Sequence, residues 1–92
     1  MQPEKVAETR AWLSRAKLDL RAAERLLQSE PALVEPALFH CQQAAEKALK
    51  GYLVWSDRTF SKTHDLIALL ALCVSVEREF TILEDAAVAL TP

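Results

Sequence analysis

The sequence predicts an all-α fold, a small up-down helical bundle of about four helices, and three observations predict it. Apolar residues recur at steps of three and four along most of the chain, as they do on one face of a helix. The 92 residues contain one Gly and four Pro, a composition suited to helices joined by short breaks. No stretch alternates polar and apolar residues as a half-buried strand would. The chain reads as a single domain over residues 1–92. A domain this short buries only roughly 60 to 65% of the surface its unfolded form exposes, so marginal stability or a partner is expected.

The first helix is expected over about residues 4–28, where Val6, Thr9, Leu13, Ala16, Leu20, Ala23 and Leu27 share a face that Trp12 and Leu26 widen. Ser29-Glu30-Pro31 and Glu35-Pro36 then break the pattern. Pro lacks an amide donor but suits the first position of a helix, so the second helix is expected to start near Pro36 and run to about Trp55. Its stripe is Leu38, Cys41, Ala45, Ala48 and Tyr52, with Ala44, Ala45 and Ala48 small enough for close approach in an antiparallel hairpin with the first helix. Gly51 costs about 1 kcal/mol relative to Ala inside a helix, which leaves two readings, a close backbone contact or the start of fraying. Residues 56–62 read as a loop, and Thr63 as the N-cap of a third helix with His64 and Asp65 in its first turn. That helix, to about Ser75, is apolar nearly all round and is expected at the centre of the core. A fourth, from Glu79 or Thr81 to Leu90, carries Ile82, Leu83, Ala86, Ala87 and Leu90.

Composition excludes several functions. A formal charge of -2 exerts no overall pull on nucleic acid or an acidic membrane, so polyanion binding would need a local patch. One Gly rules out a phosphate-cradling loop, and isolated His and Cys residues offer no zinc spacing, so neither a metal nor another cofactor is expected. Cys41 and Cys73 sit in apolar stretches as small hydrophobes rather than as a disulfide. The most apolar run, residues 66–76, is far shorter than the roughly 20 residues of a membrane span. No basic and apolar leader opens the chain. A soluble, cytoplasmic protein with no membrane partner is expected.

Two surfaces could carry chemistry. On the second helix His40, Gln43, Lys47 and Lys50 fall on roughly one face, with Glu46 and Lys50 an i,i+4 pair. On the first, Arg10, Ser14, Lys17, Arg21, Arg25 and Gln28 line one flank that could meet RNA phosphates or an acidic partner. Either row is also what an ordinary solvated face looks like.

Gln42-Gln43-Ala44-Ala45-Glu46-Lys47-Ala48-Leu49-Lys50, followed by Thr63-His64-Asp65-Leu66, is similar in content, order and spacing to the hallmark segments of the HEPN family, and Trp12, Ala16, Asp19, Leu20 and Ala23 fit the family's first helix. The resemblance spans almost the whole chain, although family members usually continue into a further aromatic and basic segment that is expected to be missing after Leu90-Thr91-Pro92. It implies a nucleotide- or RNA-binding helical module that forms a homodimer and works with a minimal nucleotidyltransferase in a toxin-antitoxin type of system. Gln43, Lys47, Lys50 and Asp65 would be its nucleotide- or RNA-binding residues.

Many HEPN proteins are metal-independent ribonucleases with an Arg, four to six residues, then a His; here Arg58 and His64 are separated by five. In that alternative His64 takes the proton from a ribose 2′-hydroxyl and Arg58 holds the phosphate. A single His supplies a base and no separate acid, which a second copy could provide. A third reading is a non-catalytic helical adaptor whose exposed apolar area is a protein interface.

Overall fold

A computed structural model describes residues 2–91; Met1 and Pro92, the two ends of the single-domain reading, lie outside the described residues. The elements in order are α1 (Pro3–Gln28), α2 (Val34–Trp55), α3 (Leu66–Val76), a 3-10 segment (Arg78–Leu83) and α4 (Glu84–Leu90), with no strand among the described residues. The all-α helical bundle read from periodicity is what the chain adopts. It is elongated, 46 × 28 × 22 Å.

α1 and α2 form the antiparallel hairpin. Trp12 lies against Gly51 at one end, and Leu33 donates its amide to Leu26 at 2.9 Å at the other. The close approach runs through small residues, with Ala16 and Ala23 of α1 and Ala37, Ala44 and Gly51 of α2 all buried. A Cβ on Gly51 would stand 3.2 Å from the Trp12 Cβ, so the two readings of this glycine resolve to close contact. The hydrophobic core lies on the other side of α2. There Leu49 and Leu53 meet Leu66, Leu69, Leu70 and Cys73 of α3 and Ala87 of α4, with Phe60, Phe80 and Leu90 packed around them. α1 contributes nothing to that cluster and packs against no helix except α2.

Several boundaries differ from expectation. α2 starts at Val34, so Pro36 sits inside its first turn, where a missing amide hydrogen bond costs nothing. Thr63 is not the N-cap of α3, and His64 and Asp65 precede the helix. Asp65 is the cap, its Oδ1 accepting from the Ala68 amide at 3.1 Å, while Thr63 Oγ1 accepts from the Asp65 amide at 3.0 Å and steadies the approach. A carboxylate two residues closer to the free amides outcompetes the hydroxyl. The fourth helix divides into a 3-10 segment and a short α4. The apolar stripes are also wider than what covers them. Leu13, Leu20 and Leu27 of α1 and Leu38 of α2 stay about half exposed, and Ile67 and Leu72 of α3 are not enclosed.

α2 ends in a turn that launches the loop toward α3. Asp57 adopts φ 58, the Asp57 amide donates to Val54 O at 3.1 Å, and the Arg58 amide donates to Leu53 O at 2.9 Å. These two bonds satisfy the last carbonyls of the helix through a left-handed residue, a role Asp fills less easily than Gly.

Two substitutions test this packing. Asp65→Ala should cost about 1 kcal/mol in urea unfolding, and Thr63→Ala clearly less, because only Asp65 caps a helix amide. Gly51→Leu should destabilise by about 1 to 3 kcal/mol, since the side chain would have to push α1 off α2; a variant as stable as the parent would contradict the close contact.

Candidate functional site

α2 carries a polar strip between the face that meets α1 and the face that meets the core, and the structure treats each residue of that strip differently. Glu46 is the most deeply buried polar residue, 2% exposed. Its Oε2 accepts a hydrogen bond from Nδ1 of His64 at 3.0 Å, while Oε1 has no partner among the described protein groups. The His64 side chain itself is 82% exposed. A buried carboxylate therefore fixes the orientation of a solvent-facing imidazole. With Nδ1 acting as the donor, Nε2 is the nitrogen left to accept a proton or a hydrogen bond from outside.

Lys50, one turn further along α2, does not pair with Glu46 as the i,i+4 spacing suggested. It is buried, and its ammonium stands 5.4 Å from the centroid of the Trp12 ring. The indole holds it as a cation over a π face rather than as half of an ion pair. The same ring is met edge-on by Phe60 at 6.4 Å, which ties the loop after α2 to α1.

Lys47 and His40 converge on α1. Asp19, 9% exposed, accepts from Lys47 Nζ through Oδ2 at 2.5 Å and from His40 Nδ1 through Oδ1 at 2.8 Å. Burial by itself would raise the Asp19 pKa. The hydrogen bonds and charges of Lys47 and His40 outweigh it and hold the carboxyl below its ordinary value of 3.8. Both oxygens are thus engaged, and Asp19 joins the helices as an interhelical clamp. Spacing alone did not mark Asp19 or Glu46 as site residues, although each stands in a segment singled out in the sequence, Asp19 in the Trp12 to Ala23 pattern and Glu46 in Gln42 to Lys50, as an acidic residue among small apolar ones.

The remaining residues singled out in the sequence lie as follows. Gln43 is half-buried on the strip between His40 and Lys47. Asp65 is exposed and occupied as the α3 cap. Arg58 is exposed and lines a shallow hollow with Glu8, Val54, Asp57, Thr59 and Phe60, which does not include His64. Of the pair Arg58 and His64, this hollow holds only Arg58. The polar row of α1, from Arg10 to Gln28, is exposed throughout.

An apolar cleft of about 220 Å³ opens between α2, α3 and α4, lined by residues such as Ala45, Leu49, Leu66, Leu83 and Leu90. No polar group converges on it, so it has nothing with which to orient a ligand. Both thiols are free, and burial pushes that of Cys73 up to about 11, which suppresses its thiolate and its reactivity. No helix among the described residues is long and apolar enough to cross a membrane.

The depressed pKa of Asp19 sets a pH dependence. Its stabilising contribution is fully present above the ordinary carboxyl value of 3.8 and is lost as pH falls below that value through the lower folded one. Asp19→Asn should be less stable than the parent at neutral pH, and the difference should shrink through this acid window. Urea unfolding measured from pH 7 down to about pH 2 checks the sign; a constant difference would rule out the clamp.

Comparison with known families gives one match. A family model described as HEPN domain aligns with residues 9–92, nearly the whole chain. No curated protein and no solved structure matched.

Proposed function

Because the chain belongs to the HEPN domain family, we propose that it is a nucleotide- or RNA-binding helical module that meets its ligand at the loop bearing His64. In this reading it self-associates and works beside a minimal nucleotidyltransferase in a toxin-antitoxin type of system. The single observation that carries the ligand site is the pairing of an exposed imidazole with a buried carboxylate, His64 on Glu46. A protein has no stability reason to bury Glu46 with one oxygen unpaired and to bond the other to a side chain that remains in water, because the unpaired oxygen alone costs about 1 to 3 kcal/mol. Orientation of the imidazole is what the arrangement provides. A phosphate or ribose hydroxyl reaching His64 Nε2 would find it already aimed. Arg58 on the same loop offers a guanidinium free of ion pairs among the described residues. Lys47 and Lys50 act from behind, Lys47 by holding α1 through Asp19 and Lys50 by holding Trp12 under Phe60, so their contribution to binding is to seat the loop.

The same pair of residues favours a second reading, metal-independent RNA cleavage. His64 Nε2 would remove the proton of a ribose 2′-hydroxyl, whose oxygen attacks the adjacent phosphorus to close a 2′,3′-cyclic phosphate and expels the 5′-oxygen, which takes its proton from water, with Glu46 stabilising the imidazolium that forms. Arg58 would share the phosphate charge.

A labelled single-stranded RNA and ATP, each titrated in EDTA, test both readings. Binding that weakens about tenfold or more in His64→Ala supports the proposed site, whereas a parent protein that binds neither probe at millimolar concentration overturns it. RNA cleaved in EDTA by the parent and spared by His64→Ala, with Glu46→Gln reduced and still folded, selects the nuclease; RNA left intact by the parent rejects it.

A further inference from the structure

Glu46 and Lys50 stand one turn apart on α2, in the order and spacing at which a carboxylate and a lysine pair most readily on a helix. Both are buried, yet each is held by something else. Glu46 Oε2 accepts from His64 Nδ1 at 3.0 Å, and Oε1 has no partner among the described residues. The Lys50 ammonium forms no ion pair among the described residues and stands 5.4 Å from the Trp12 centroid. The two halves of a buried ion pair are thus present and held apart, one by a histidine of the loop and the other by an indole of α1.

We propose that Lys50 is the reserve partner of Glu46: when His64 leaves the carboxylate, the ammonium turns from Trp12 to Glu46, and the two attachments of the α2–α3 loop, His64 to Glu46 and Phe60 to Trp12, are released together. The inference goes beyond the ligand site and concerns how the loop that bears it is held. Without His64, Glu46 would be buried with neither oxygen bonded, an uncompensated charge that draws in whatever cation is nearest. Few groups can answer. α3, packed against α2, has no charged side chain between Leu66 and Val76. Lys47 and His40 are engaged by Asp19, Asp65 has the wrong sign and caps α3, and Arg58 and Lys62 are exposed on the departing loop. Lys50 is already inside and one turn away. Trp12 can release it, because Arg15 stands 5.5 Å from the same centroid, so two like charges share one ring and the indole keeps a cation after Lys50 has gone. Phe60 meets that ring edge-on. With Lys50 withdrawn from its face the indole is no longer fixed against Phe60, and the loop loses its aromatic seat as it loses its polar one.

Two measurements on the full chain test the proposal, and neither needs a ligand, so their failure leaves the ligand reading standing. A lysine ε-methylene over an indole resonates upfield of its ordinary position, and the Lys50 signal, assigned by its loss in Lys50→Arg, reports where the side chain lies. It should be shifted in the parent, return to its ordinary position in His64→Ala, and be shifted again when Glu46→Gln is added to His64→Ala, since no carboxylate then draws the ammonium away. Urea unfolding gives the second readout. Lys50→Met should raise the unfolding constant about tenfold more in the His64→Ala background than in the parent, because only there does it leave Glu46 without any partner. Lys50→Arg, which keeps the charge, should show little of this excess. A Lys50 signal at its ordinary position in the parent, still upfield in His64→Ala, or ordinary in the double variant overturns the proposal. So do effects of His64→Ala and Lys50→Met on the unfolding constant that simply multiply.

Discussion

The arrangement depends on how closely α1 approaches α2. With no side chain on Gly51, Trp12 comes down onto the α2 backbone, its Cβ 3.2 Å from where a Cβ would be. The indole is thereby set with Lys50 over its face and Phe60 against its edge. Phe60 belongs to the loop between α2 and α3, so the position of that loop is inherited from a contact between two helices. Four residues after Phe60 the chain reaches His64 with its ring at the Glu46 carboxylate. The exposed imidazole of this loop is thus linked, through Phe60 and the Trp12 indole, to a glycine of α2.

Two carboxylates on neighbouring surfaces illustrate how burial and partners divide the work. Asp19 is surrounded by donors, both oxygens bonded, and its charge is balanced by Lys47; such a group holds helices in register and has nothing left to offer a ligand. Glu46 is buried more completely, with a single partner that is itself in water. Breaking a buried pair of this kind is costly because it leaves an uncompensated group inside, which is why the loop remains seated even though little else covers His64. The same protein uses a histidine in each case, and exposure separates their roles: His40 is partly enclosed between the helices, and His64 is free on one side.

Much of the fold was legible in the sequence, because a period of 3.6 in apolar residues and the break at Ser29-Glu30-Pro31 define the hairpin independently of anything distant. The helix start at Asp65 was missed because Thr and Asp are both good caps, and the choice between them depends on which oxygen reaches the Ala68 amide. The site was legible only in part. His64 stood out through its motif, yet its partner did not, since Glu46 reads on a helical wheel as the natural mate of Lys50. Only the depth of burial, set by α3 and the loop, diverts Lys50 to an aromatic ring and Glu46 to a residue eighteen positions away. The leucine line of α1 was visible as periodicity, but the pattern could not tell that α2 would cover only one edge of it.

The dependence of α1 on a single neighbour has a kinetic side. The buried cluster of α2, α3 and α4 contains no residue of α1, so α1 can detach without dismantling that cluster. Such sub-global openings are the usual route by which amide hydrogens of one element exchange before those of another. When α1 lifts away, Asp19 leaves His40 and Lys47, and Trp12 leaves Lys50 and Phe60 at the same moment. The loop would then keep its bond to Glu46 while losing the aromatic seat beneath it. Excursions of the first helix would therefore set how long the imidazole keeps its aim, and anything that clamps α1 from outside would lengthen that interval without touching His64.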